Sequence, residues 1–202
     1  MTIRAVIFDF GSVLVRLEDP SGRQEWEERL GLPEGGLAEL VFGSEVAARA
    51  SVGEVPDSAV WDHVAEVLGL DQGQLAQLHQ DFWTGHRLDD NLADFLRALR
   101  PRYKTAILSN ALYGARDVFV GVYGLGGAVD LMVISAEEGV AKPAPEIYRR
   151  TLERLGVRPE EAVFVDDKIE NVEAARAIGI RAIHFTDPTS AIADVKRILA
   201  EG

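Results

Sequence analysis

The stretch "VIFDFGSVLV", residues 6–15, sets a single carboxylate, Asp9, behind a run of apolar residues and follows it with Gly11 and Ser12. Residues 3–8 are almost all apolar and either β-branched or aromatic. That pattern suits a strand covered on both faces. An acid placed where such a strand stops is either a turn former or a group presented for chemistry. The rest of the chain decides between the two.

Three further runs look like buried strands: 105–108 in "YKTAILSNA", 162–165 in "EEAVFVDDK" and 182–185 in "IRAIHFTDP", with 131–134 as a weaker fifth. Between them lie helix-period segments, "LADFLRALR", "APEIYRRTLERLG" and "IENVEAARAIG", the last two closed by Gly156 and Gly179 as C-terminal caps. Alternation of strand and helix predicts an α/β fold, a parallel sheet core with helices on both faces and ligands at the carboxyl ends of the strands. Residues 16–87 break this rhythm. They read as short amphipathic helices separated by "GLPEGG", "VGEVPDS" and "GLDQG". The expectation is a catalytic core of 1–15 and 88–202 with an inserted α-helical cap, 16–87, seated over the edge where Asp9 emerges.

Composition narrows the partners. The chain has 202 residues, 47% of them hydrophobic, enough to bury a substantial core. Its net charge of −12 argues against nucleic acid or an anionic membrane as a general partner, while a small phosphorylated ligand held by local cations remains compatible. With no cysteine, disulfides, thiolate metal sites and cysteine nucleophiles are excluded. The N-terminal sequence lacks a signal-peptide pattern, and no apolar run reaches bilayer length, so a soluble, cytoplasmic protein is expected.

The strand ends deliver a chemically coherent set: Asp9; Ser109 and Asn110; Lys142 on the segment after the 131–134 strand; and Asp166 with Asp167. In a parallel sheet these ends share one edge. A carboxylate attacks phosphorus only when anion–anion repulsion is removed. Mg²⁺ between Asp9 and a phosphate oxygen would do so, supported by Asp167 and Asp166, with Lys142 neutralising further charge. Ser109 and the amides near Asn110 and Gly11 would donate to the oxygens of the transferring group. Attack by Asp9 gives an aspartyl phosphate that water hydrolyses.

In this order and context, "VIFDFGSVLV", "AILSNA", "GVAKPAPEIY" and "VFVDDKIENVEAARAIGI" resemble the four motifs of the haloacid dehalogenase-like hydrolase superfamily. The chain is most similar to its phosphatase branch with an α-helical cap and a Rossmann-like core. The resemblance implies Asp9 as nucleophile, Ser109 and Lys142 as the second and third motif residues, and a Mg²⁺ site of Asp9, the Gly11 carbonyl and an acid of the fourth motif, here Asp167 with Asp166 in support. The pattern departs at Gly11, where most phosphatases of the family carry a second Asp that protonates the leaving oxygen. Bacterial glucose-1-phosphate phosphatase-like proteins also have Gly there. A missing acid points to a leaving group that departs easily or brings its own proton.

Two rival readings follow from the same residues. A haloacid dehalogenase would use the carboxylate on carbon without metal, but the adjacent acids of "VDDKIEN" suit Mg²⁺ better. A binding or regulatory protein on the same fold would not need Asp9, Ser109, Lys142 and both late acids together. Cap residues Trp26, Arg49, Glu54, Trp61, His63, Trp83 and His86 are candidates for the entrance, with the tryptophans equally suited to a core role.

Overall fold

The computed structural model describes residues 2–201, so Met1 and Gly202, the outermost residues of the expected core, lie outside the described residues. In chain order the elements are β1 (Ala5–Phe8), β2 (Val15–Leu17), α1 (Ser21–Leu30), α2 (Gly36–Ala38) running into a π-helical turn (Glu39–Gly43), α3 (Glu45–Ala50), α4 (Ser58–Leu68), α5 (Gln72–Trp83), β3 (His86–Leu88) and α6 (Asp90–Leu99). They continue through β4 (Lys104–Ser109), α7 (Ala115–Gly121), β5 (Leu131–Ile134), α8 (Ser135–Glu138), α9 (Pro145–Leu155), β6 (Ala162–Asp166), α10 (Ile169–Ala177), β7 (Arg181–His184) and α11 (Pro188–Ala200).

Five strands form one sheet in the order β5-β4-β1-β6-β7, with every neighbouring pair parallel. The alternation of side chains along β1 explains its wholly apolar sequence. Val6 and Phe8 join Ile107, Val163 and Val165 under α6, α7 and α11, through Leu92, Leu96, Phe119, Val195 and Ile198. Ala5 and Ile7 face the other way, onto Ile147, Tyr148, Leu152, Val172 and Ala175 of α9 and α10. Each fully buried Phe or Leu of these layers contributes about 1.5–3 kcal/mol. The expected parallel α/β core with helices on both faces is the observed one. Gly156 ends α9 in the left-handed conformation at φ 65°, where a side chain would be strained.

The segment inserted after β1 has an apolar centre of its own, built from Trp26, Leu37, Val41, Val60, Val64, Leu78 and Phe82. Its ends are not helical. Residues 15–17 and 86–88 pair as an antiparallel ribbon, Val15 opposite Leu88 and Leu17 opposite His86. Three-residue strands with an arginine in the middle, Arg16 and Arg87, carry too little alternation to be read from sequence. No helix among the described residues is long and apolar enough to cross a membrane.

Candidate active site

The register of the sheet brings the strand ends level. Phe8 of β1 lies opposite Ile107 of β4 and Val165 of β6, so the residues that follow leave the sheet at one edge. Asp9 still donates its amide to Val165 O at 2.8 Å. The chain then turns back at once: Val15 N donates to Phe10 O and Ser12 N to Val15 O, both at 2.9 Å, with Ser12 at φ 61°. That reversal leaves the Asp9 carboxylate at the edge of the sheet, 8% exposed.

Lys142 is the hub. Its ammonium group donates to Asp9 Oδ1 and Asp166 Oδ2, both at 2.7 Å, and to Leu108 O at 2.9 Å, so all three N–H groups have acceptors although the residue is only 4% exposed. Asp166, fully buried, uses its other oxygen to accept from Lys168 N at 2.8 Å and Asn171 Nδ2 at 2.9 Å. Asn171 is in turn held by Tyr148, whose hydroxyl donates to Asn171 O at 3.0 Å. Burial, with Asp166 and Asp9 nearby, pushes the Tyr148 phenol well above its ordinary value, so it remains a donor.

On the opposite side, Asn110 clamps the backbone of Lys142. Its Nδ2 donates to Lys142 O at 2.7 Å and its Oδ1 accepts from Lys142 N at 2.8 Å. The Lys142–Pro143 peptide bond is cis. The Asn110 side chain is therefore engaged in placing the lysine. Ser109, at the end of β4, is buried beside these groups.

Asp167 differs from Asp166. It is half-buried and, among the described residues, makes no ion pair, while its backbone carbonyl accepts from His184 Nε2 at 2.9 Å. Carboxylate oxygens of Asp9, Asp166 and Asp167 lie within 4.8 Å of one another. Burial pushes Asp9 up to about 6 against the pull of Lys142, with Asp166 adding to the rise, and burial together with Asp166 raises Asp167 as well. One lysine does not balance three clustered acids. An all-oxygen, net-negative donor set fits a hard divalent cation such as Mg²⁺.

Gly11 is exposed and does not adopt a left-handed backbone; a Cβ built there meets nothing within 4 Å. Glycine is thus not required by the local backbone. Among the cap candidates, Trp26 is buried with its Nε1 donating to Asp81 at 2.9 Å, and Trp61 packs edge-on against His79 and Phe82, so both are structural. Trp83 is partly exposed beside Phe42 and His86, and Arg49 pairs with Glu54 on the surface. His63 is half-buried. Sequence reading missed Asn171. Its signal was its place five residues after Asp166, one turn into the following helix, where a side chain can reach back to the strand end.

The sesquiterpene phosphatase astK of Aspergillus oryzae is 25% identical over 98% of this chain and 97% of its own length. A HAD family enzyme of Bacteroides thetaiotaomicron, solved as a complex with magnesium and inorganic phosphate, superposes with a TM-score of 0.77 at 21% identity, covering 94% of this chain and 98% of that one. L-2-haloacid dehalogenase of Xanthobacter autotrophicus, solved with chloropropionic acid covalently bound, gives 0.68 at 25% identity over 100% of this chain and 84% of its own. The model of the haloacid dehalogenase-like hydrolase family matches residues 3–179, and with that match over most of its length the chain belongs to this family of hydrolases.

Proposed function

We propose that the protein is a Mg²⁺-dependent phosphatase that hydrolyses a small phosphorylated metabolite through an aspartyl phosphate on Asp9. The observation that carries this reading is the trio Asp9, Asp166 and Asp167 around one lysine. A carboxylate attacking carbon with halide departure needs no such excess of acid, whereas a carboxylate approaching a phosphate needs its charge balanced. Lys142 fixes the Asp9 carboxylate, which attacks phosphorus; the Asp9–phosphorus bond forms as the bond to the leaving oxygen breaks. Water then attacks the phosphoryl group, releasing phosphate and restoring the carboxylate. Ser109 and the amides near Asn110 and Gly11 donate to the phosphoryl oxygens. Asp9, the Gly11 carbonyl and Asp167 would hold Mg²⁺, which would supply the positive charge needed for the two anions to meet. Asp166 supports the site indirectly, by anchoring Lys142 and thereby Asp9. The full-length likeness to astK supports phosphate-ester chemistry on the whole chain, cap included.

The test is metal dependence on a generic aryl phosphate. A chelator is expected to silence the protein. Asp167→Ala is expected to raise the Mg²⁺ concentration for half-maximal rate by at least about 10-fold. Turnover indifferent to chelator, together with halide release from a 2-haloacid, would transfer the protein to the dehalogenase reading.

Gly11 gives a second test. Because the position is open and its backbone unstrained, Gly11→Asp is expected to keep the parent's melting temperature. It should raise kcat/KM on alkyl phosphates by up to about 10²-fold, the lower end of what a general acid gives. The native enzyme should lose rate steeply as the leaving-group pKa climbs. A flat native profile reaching alkyl phosphates would show that another group already delivers the proton.

A further inference from the structure

We infer that Asp57, in the inserted helical segment, is a positioning residue for the catalytic edge, an inference that rests on the phosphatase reading. Asp57 immediately precedes α4, where an acid ordinarily turns its carboxylate onto the amides of its own helix. It makes no such bond. Its two oxygens accept instead from consecutive amides of the core, Oδ1 from Tyr113 N at 3.1 Å and Oδ2 from Gly114 N at 3.0 Å. A carboxylate that gives up capping its own helix to grip another segment with both oxygens makes two charge-assisted bonds between parts of the chain 56 and 57 residues apart.

The gripped segment is the one that leaves β4 through Ser109 and Asn110. Its first part is held from the core side, by Asn110 on the Lys142 backbone and by Ala111, whose amide donates to Ser135 Oγ at 3.0 Å. Its second part is held from the cap side. The Leu112 side chain packs into the cap's own apolar cluster, and the next two amides end on Asp57. The approach is close at a third point: Gly53 has φ 73°, and a Cβ there would stand 2.5 Å from Ala136 O and 2.8 Å from the Tyr113 hydroxyl. The segment between Asn110 and Gly114 thus has one end set by the sheet and the other by the seated cap. The donors assigned to the phosphoryl group, Ser109 and the Asn110 amide, lie at its root. Seating the cap therefore completes the phosphate-binding edge as well as covering it. Misplacement of such donors by about 1 Å costs up to roughly 10²-fold in rate.

The experiment compares Asp57→Ala and Asp57→Asn with the parent, as full chains, on an aryl phosphate with inorganic phosphate as competitive inhibitor. Asp57→Ala is expected to lower kcat and raise the phosphate inhibition constant, each by about 10-fold or more. The Mg²⁺ concentration for half-maximal rate, set by Asp9 and Asp167, should stay within about twofold. Asp57→Asn, which keeps one acceptor oxygen and the side chain's shape, should fall between. Hydrogen exchange at Tyr113 and Gly114 should quicken in the same order. A lowered melting temperature with kcat and the inhibition constant of both variants unchanged would overturn the inference, and so would unchanged exchange at those amides. A parent without phosphatase activity would instead sink the phosphatase reading, and amide exchange would still report whether Asp57 holds the segment.

Discussion

Asp9→Asn is expected to reduce turnover of any phosphomonoester at least about 10³-fold while leaving the fold intact. Asparagine fills the same volume, and its carbonyl oxygen can still accept from Lys142, which would retain Asp166 as its ionic partner. What disappears is the charge that attacks phosphorus. Removing one of three crowded carboxylates also relieves their mutual repulsion. In metal-free buffer the variant should therefore melt at or above the parent's temperature. Stopped phosphate release with a preserved melting transition is the expected pair of results, measured on one preparation. Turnover near the parent's level would eliminate Asp9 as nucleophile.

Lys142→Met is expected to have the largest effect on stability, a loss of about 3–5 kcal/mol in denaturant unfolding, with activity abolished. The lysine is the cation that both buried acids face, and Asp166 has no access to water. Without it, Asp9 and Asp166 confront each other across a low-dielectric space, so one must take up a proton or the edge must open. Mg²⁺ should restore part of the loss, because it binds the folded carboxylates and not the unfolded chain. Arginine should not substitute well, since its planar fork does not match three acceptors grouped around a single ammonium nitrogen. A Met variant within about 1 kcal/mol of the parent would show that the acids are balanced by something other than Lys142.

Much of this is legible in the amino-acid sequence, for a physical reason. A parallel sheet buried on both faces writes its strands as plain apolar runs, and its connections force the strand ends to one edge, so residues from 9 to 167 could be grouped without knowing the strand order. That Asp166 rather than Asp167 pairs with Lys142 is not legible in the sequence. Adjacent residues at a strand end point in different directions, and which of them meets Lys142 depends on the turn after β6. The ribbon of β2 and β3 escaped because it is short and charged, and α11 escaped although "DPTS" announces it, with Asp187 accepting from Ser190 N and Pro188 in the first turn. Asp57 has no signal in the sequence, since nothing in "VGEVPDS" tells that its partners lie on another part of the chain. The cap tryptophans were ambiguous for the opposite reason: a ring that suits an entrance also suits a core, and for Trp26 and Trp61 packing decided it.

The ribbon has a consequence for how this architecture can be altered. Because Leu17 and His86 sit opposite one another, the strand that leads out to the helical segment and the strand that leads back are a single hydrogen-bonded pair apart. The whole segment hangs from the sheet by two adjacent threads, and a foreign module of any length whose ends are spaced like neighbouring strands would meet the same junction. Transplanting such modules, with an acid matched to Tyr113 and Gly114, would test whether the segment selects the substrate. The junction holds the entry and the exit of the helical segment side by side, so the segment's length is decoupled from the spacing of its two ends.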